Sequence, residues 1–233
     1  MNTLTVGLLR VVSFDDPEIA AAHGRIIEQR YPALLVVTRC IPDQPKGIYD
    51  DESERIAIPK IIDQARRLVT EDGVQAVIVS CAADPAVEEL RGELDVPVIG
   101  AGTAAAAVAL SISTRVGTLG ITEATPAPMR SMLGSFLTGE EMPEGVRNTL
   151  DLMTDTGRAS AIEAARRLTA SGARVVALAC TGYATIGLKP ELQAATGLPV
   201  VDAVEAAALC TWFALVSASS TAGAAAGVIH ARS

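Results

Sequence analysis

The chain is expected to fold as an α/β protein built from two doubly wound domains with mostly parallel sheets. Three observations lead there. Apolar runs of strand length alternate with helix-period stretches from residue 5 to about residue 209, the pattern that strand–helix–strand crossovers produce. That alternation starts a second time near residue 115. Within each round one segment matches closely. Ile62-Asp-Gln-Ala-Arg-Arg-Leu68 leads through Gly73 to an apolar run ending on Cys81, and Ile162-Glu-Ala-Ala-Arg-Arg-Leu168 leads through Gly172 to one ending on Cys180. The step from glycine to cysteine is eight residues in both.

Residues 5–12 form a continuous apolar run interrupted only by Gly7 and Arg10, which reads as a buried strand. Asp15 and Asp16 before Pro17 mark a helix start, and helical spacing continues to Ile27. A second strand spans 34–41, followed by a polar loop carrying Gln44, Lys46 and Tyr49. A helix over 53–69, a strand over 74–80, a short helix over 85–94, a strand over 97–100 and an Ala-rich helix over 103–110 complete the first round. In the second, Arg115-Val-Gly-Thr-Leu-Gly-Ile-Thr122 echoes the first strand with Gly117 at the place of Gly7, and Pro199-Val-Val-Asp202 echoes Pro97-Val-Ile-Gly100.

Composition excludes several function classes. A net charge of −8 and no basic stripe leave nothing to neutralise phosphates, so nucleic acid is not an expected partner. The four cysteines (40, 81, 180, 210) show no C-x-x-C or Cys/His spacing, so no metal is expected, and free thiols suit a reducing cytoplasm. Residues 206–229 carry no charge, but Ala, Ser, Thr and Gly dominate them. They read as a buried helix with a small-residue tail, and no membrane contact is expected. The N-terminus lacks a basic leader and runs directly into a strand.

In parallel α/β sheets ligands bind beyond the carboxyl ends of the strands, where both cysteines fall. A lone cysteine at a strand end is usually a small hydrophobe. Two at matched positions favour catalysis, with each sulfur expected near a helix N-terminus that favours thiolate. Thr181-Gly182 and Ala82-Ala83 leave room for a ligand beside each thiol. Asp84 either orients a ligand N–H or caps a helix at Pro85. Glu123 aligns with Ser13 and either faces the cleft or opens a helix in solvent. Lys46 either pairs with an anionic substrate group or is an exposed loop lysine. His23 is expected at the surface or half-buried. Arg66 and Arg167, on matched helices, read as solvated faces or interdomain ion pairs. Cys40 and Cys210 read as core.

Ser80-Cys-Ala-Ala-Asp-Pro85, Pro97-Val-Ile-Gly-Ala101 and Ala179-Cys-Thr-Gly-Tyr183 resemble the aspartate/glutamate/hydantoin racemase superfamily, nearest its hydantoin/allantoin branch. The resemblance spans nearly the whole chain. It implies a pseudo-twofold between the domains, an active site in the cleft between them, and a C-terminal helix crossing back to the first domain. The domains would then be 1–102 plus 207–233, and 103–206. It also implies a cofactor-independent racemase or epimerase in which one cysteine, as thiolate, removes an α-proton and the other, as thiol, protonates the opposite face. Donors to the enolate oxygen would be the N–H groups after each cysteine and the Thr122 and Thr181 hydroxyls. Where hydantoin racemases carry an Asn-Pro-Asn type motif after the first strand, this chain has Arg10-Val-Val-Ser-Phe14, and Thr181 and Tyr183 replace a usual Ala and Met. The likeness therefore speaks to the reaction more than to the substrate. A maleate-isomerase-like cis–trans isomerase and a non-catalytic small-molecule sensor are the alternatives. A small-molecule substrate and a homo-oligomer are expected.

Overall fold

The computed structural model describes residues 3–229, and side chains up to residue 217. The first half runs β1 (Leu4–Arg10), α1 (Pro17–Arg30), β2 (Leu34–Cys40), α2 (Asp51–Thr70), β3 (Ala76–Ser80), α3 (Val87–Glu93), β4 (Val98–Gly100) and α4 (Ala101–Ile112). The second runs β5 (Val116–Leu119), α5 (Ala127–Leu133), a 3-10 turn, β6 (Leu137–Glu141), α6 (Thr149–Leu152), α7 (Asp155–Ala170), β7 (Val175–Leu178), α8 (Gly182–Thr185), α9 (Lys189–Thr196), β8 (Val200–Val201) and α10 (Ala203–Ile229). The sheets have orders β2-β1-β3-β4 and β6-β5-β7-β8, and every pairing is parallel.

The internal repeat is therefore three-dimensional. Gly7 pairs with Val77, four residues before Cys81, and Gly117 pairs with Val176, four before Cys180. Each glycine makes room for the equivalent leucine. A Cβ on Gly7 would touch Leu68 and Val74 side chains at 3.0–3.1 Å, and one on Gly117 would meet Ala173 at 2.9 Å and Leu168 at 3.1 Å. Gly73 and Gly172 both turn the chain at positive φ (64° and 86°), a conformation other residues adopt only with strain.

Burial explains the Ala-rich helices. α4 follows β4 but packs on α5 and β7 of the second half; α10 follows β8 but packs on α1, α4, β3 and β4 of the first. One apolar core joins Val6, Leu8 and Ile78 of the first sheet, Val175 and Ala177 of the second, and the alanines of both helices. Small side chains let these layers approach closely. Two further cores sit on the outer faces, one under α2 and α3 and one under α7 and α9. Glu205 of α10 pairs with Arg30 of α1 (3.0 Å) and Lys189 of α9 (2.6 Å), tying both halves together. Among the described residues no helix is long and apolar enough to cross a membrane.

Asp16 caps α1 with Pro17 as its first residue, as the sequence pattern requires. The short third helix differs from expectation. It begins at Val87 with Ala86 at the cap position in left-handed conformation, and no side chain caps it. Asp84 (φ 52°) instead accepts N–H bonds from Gly102 (2.7 Å) and Thr103 (2.8 Å), capping α4 across the sheet edge. Gly100 and Gly102 allow this approach, because a Cβ on the former would run into the Asp84 carboxyl and on the latter into the Ala82 carbonyl. Arg66 and Arg167 pair within their own halves, with Glu93 and with Glu141 (2.7 Å), not across the domains.

Candidate active site

Cys81 follows β3 directly and Cys180 stands two residues beyond β7, so equivalent strands deliver one thiol from each half to the same end of the molecule. Between them lies a cleft of about 700 Å³, lined from both halves. Arg10 to Val12, Tyr49, Glu54 and residues 80–86 form one wall; Ile121, Thr122, Thr149 and residues 179–182 form the other. Each cysteine is half-buried and free. The Gly182 N–H donates to Cys180 Sγ at 3.3 Å, an approach that a side chain at Gly182 would crowd.

The thiols are not shifted toward thiolate, the effect expected of nearby helix N-termini. Burial in a largely apolar cleft disfavours thiolate, and it outweighs the local N–H groups. Cys180 is pushed up to about 11 by burial and the Asp202 charge, with the Gly182 N–H and, more weakly than Asp202, the Arg10 charge acting in the opposite direction. Cys81 is pushed higher still by burial, eased by the Ala83 N–H and reinforced by the Cys180, Asp84 and Glu54 charges. Nor does a helix begin at Cys81: α3 starts six residues later. At Cys180 the one-turn α8 begins two residues on.

Ala82, Asp84, Thr122, Thr181 and Gly182 all line the cleft. Three other expected site residues do not. Lys46 is exposed, because its loop turns Gly47, Ile48 and Tyr49 inward instead. Glu123 is exposed outside the cleft. Ser13 is spent on the same loop, its Oγ accepting from the Gln44 N–H at 2.9 Å. The threonine hydroxyls are engaged as donors already, Thr122 to the Ala124 carbonyl (2.8 Å) and Thr181 to the Ser80 carbonyl (3.1 Å). They have no proton free for an enolate oxygen.

A buried polar chain joins the halves beneath the cleft. Fully buried His23 is hydrogen-bonded through Nδ1 to Ser80 Oγ (2.9 Å) and through Nε2 to Thr185 Oγ1 (2.8 Å), and Arg10 Nη2 donates to the same Thr185 oxygen (3.0 Å). This corrects the surface or half-buried placement expected of His23. Burial and the Arg10 charge hold its pKa well below the usual imidazole value, so it stays neutral. Sequence reasoning also missed Arg10 as a site residue, although its interruption of an apolar strand was visible.

Two parallel α/β halves that present one thiol each to a shared cleft define a protein of the two-lobed racemase architecture. Residues 19–211 match the model of the Asp/Glu/hydantoin racemase family, and the chain belongs to that family. The hydantoin racemase of Rhizobium meliloti is 32% identical over 174 residues, covering 71% of this chain and 70% of that protein. The allantoin racemase from Klebsiella pneumoniae has a similar fold, with a TM-score of 0.78 over 93% of this chain and 89% of that one at 23% identity. The allantoin racemase of Pseudomonas fluorescens follows, with a TM-score of 0.73 over 92% of both chains at 19% identity.

Proposed function

We propose that this protein is an isomerase, a cofactor-independent racemase or epimerase in which Cys81 and Cys180 exchange protons with opposite faces of one carbon. The observation that carries the reading is the placement of one thiol from each half at equivalent strand ends on one cleft. A substrate carbon held between them loses its α-proton to one sulfur, as thiolate, and gains a proton from the other, as thiol. Substrate deprotonation creates an enolate, whose oxygen needs fixed donors. With both threonine hydroxyls committed, the backbone N–H groups of Ala82 and Thr181 take that part. The substrate is a small hydantoin-like or amino-acid-like molecule with an acidic α-proton, a class supported by the Rhizobium meliloti relative.

The test is a panel of single-enantiomer hydantoins, allantoin and amino acids, followed by polarimetry and chiral chromatography. Racemisation of a panel member by the native protein, lost in Cys81→Ala and in Cys180→Ala, is expected. Full activity in either single variant would refute the two-thiol mechanism. Olefin isomerisation without racemisation would favour maleate-isomerase-like chemistry instead.

A further inference from the structure

The two halves share an Ala-rich apolar core. Apolar attraction is non-directional, so that core holds the halves together without dictating how their loops meet. The directional contacts between them are concentrated in one place. Among the described residues, every side-chain hydrogen bond joining residues 4–112 directly to 113–202 runs to Thr181 or Thr185. Both lie on the turn and one-turn helix that follow Cys180. Thr181 Oγ1 donates to the Ser80 carbonyl at 3.1 Å, so the residue after one cysteine is bonded to the residue before the other.

A second path closes beneath that bond. Ser80 Oγ is bonded to His23 Nδ1 (2.9 Å), His23 Nε2 to Thr185 Oγ1 (2.8 Å), and α8 carries the chain back from Thr185 to Thr181. Ser80, His23, Thr185 and Thr181 therefore form a closed ring, with one cysteine attached on each side. His23 is fully buried and Ser80 nearly so, which keeps water from competing for the bond between them. Imidazole holds its two nitrogens at a fixed separation on a flat ring, and in the neutral form one donates while the other accepts. Arg10 Nη2 pins the Thr185 oxygen from β1 (3.0 Å), and its Nη1 donates to the Ile19 and Ala20 carbonyls of the helix that carries His23 (2.8 and 3.1 Å). The Gly182 N–H, on the α8 arm of the ring, donates to Cys180 Sγ and ties that sulfur to the same turn.

We propose that Thr181 and His23 are positioning residues, whose bonds to Ser80 and Thr185 set the distance between the Cys81 and Cys180 sulfurs. The inference rests on the two-thiol reading and adds that the spacing is built in before a substrate arrives. A carbon that exchanges protons with two sulfurs tolerates little error in that spacing, since a misplacement of about 1 Å can cost roughly 10²-fold in rate.

The experiment needs no substrate. The native protein is treated at mildly alkaline pH with dibromobimane, which bridges two thiols, and in parallel with monobromobimane, which caps each alone. Peptide mass spectrometry gives the rate of Cys81–Cys180 bridging relative to single alkylation, a ratio that reports spacing rather than reactivity. In Thr181→Val and in His23→Leu this ratio should fall roughly fivefold, the shift that loss of one ordinary hydrogen bond permits. Thr181→Ser, which keeps the hydroxyl, and His23→Gln, which keeps a donor and an acceptor, should restore most of it. A ratio unchanged in folded Thr181→Val overturns the proposal, and so does one unchanged in folded His23→Leu. Either is the result of a residue that serves stability alone, which lowers the unfolding temperature and leaves the ratio untouched. If His23→Leu does not fold, the half-buried Thr181 and its two variants decide. A native protein alkylated at both thiols but bridged by neither dibromobimane nor a longer bismaleimide instead removes the two-thiol reading, and the inference with it.

Discussion

The helices that follow β4 and β8 are capped from different places. In the second half the cap is local: Asp202, at the end of β8, accepts from Val204 and Glu205 of α10. In the first half the equivalent position is Gly100, and the carboxylate comes from Asp84, three residues after Cys81. Tyr183 takes the place of Asp84 in the second half, and its hydroxyl donates to the Gly120 carbonyl instead (2.8 Å). Both halves satisfy the two N–H groups at the same helix positions, two and three residues beyond Gly100 and Asp202. The exchange leaves a carboxylate near each thiol, Asp84 near Cys81 and Asp202 near Cys180, but brings it from a different element in each half. The duplicated scaffold carries an unequal pair of thiols, with Cys81 raised further than Cys180.

The sharpest break of this comparison lies at the thiols themselves. Cys81→Ser and Cys180→Ser should each slow racemisation by roughly 10³-fold, within the range that general acid–base groups supply, measured by polarimetry on whichever panel member reacts. If one variant stays near native rate, the halves are not partners in one reaction.

The next effect is pH dependence. Burial holds Cys180 at about 11 and Cys81 higher, so in the free protein the thiolate fraction of Cys180 grows throughout the neutral and mildly alkaline range while Cys81 keeps its proton. The value of kcat/KM should accordingly rise about tenfold per pH unit from pH 7 to 10. A plateau near pH 7 would mean that the cleft lowers the thiols rather than raising them.

The caps give a smaller effect, read in stability. Asp84→Gly should cost about 1 kcal/mol through loss of the α4 cap. Gly100→Asp alone should also destabilise, since its Cβ would meet the Asp84 carboxyl. The double variant Asp84→Gly/Gly100→Asp rebuilds the arrangement of the second half, and denaturant titration should show it more stable than the sum of the two changes. Strict additivity would mean that the two capping schemes are not interchangeable.

The matched strand glycines give a second contrast in stability. Alanine at Gly117 presses on the Ala173 Cβ, which cannot rotate away, whereas alanine at Gly7 meets the movable tips of Leu68 and Val74. Gly117→Ala should cost about 1–3 kcal/mol and Gly7→Ala less, by thermal or urea unfolding. The opposite order would show that the second sheet is the more yielding of the two.

The strand positions and the meeting of the two cysteines follow from features a sequence displays directly. Apolar periodicity locates the strands, and the spacing from Gly73 to Cys81 and from Gly172 to Cys180 sets the repeat. What stayed hidden depends on contacts between distant segments. Asp84 sits beside Pro85 like a local cap, and only the approach of Gly100 and Gly102 shows that it serves a helix eighteen residues away. His23 looks like any polar residue on an amphipathic helix until Ser80 and Thr185 close on its two nitrogens. Lys46 and Glu123 lie in loops beyond strand ends, and loop position alone does not decide which neighbours turn inward. The thiols are raised, not lowered as a nearby helix N-terminus would do, for a related reason. The backbone N–H groups can be placed from local pattern, but the burial of the thiols comes from both halves at once.

Solvent-deuterium incorporation in the single-cysteine variants tests the central claim most directly. In deuterated water, Cys81→Ser and Cys180→Ser are each given the separate enantiomers of a reacting substrate, and α-deuteration is followed by NMR. The two-thiol account predicts that each variant exchanges the α-proton of one enantiomer without racemising it, and that the two variants choose opposite enantiomers. Exchange of the same enantiomer by both variants, or of both enantiomers by either one, would contradict it.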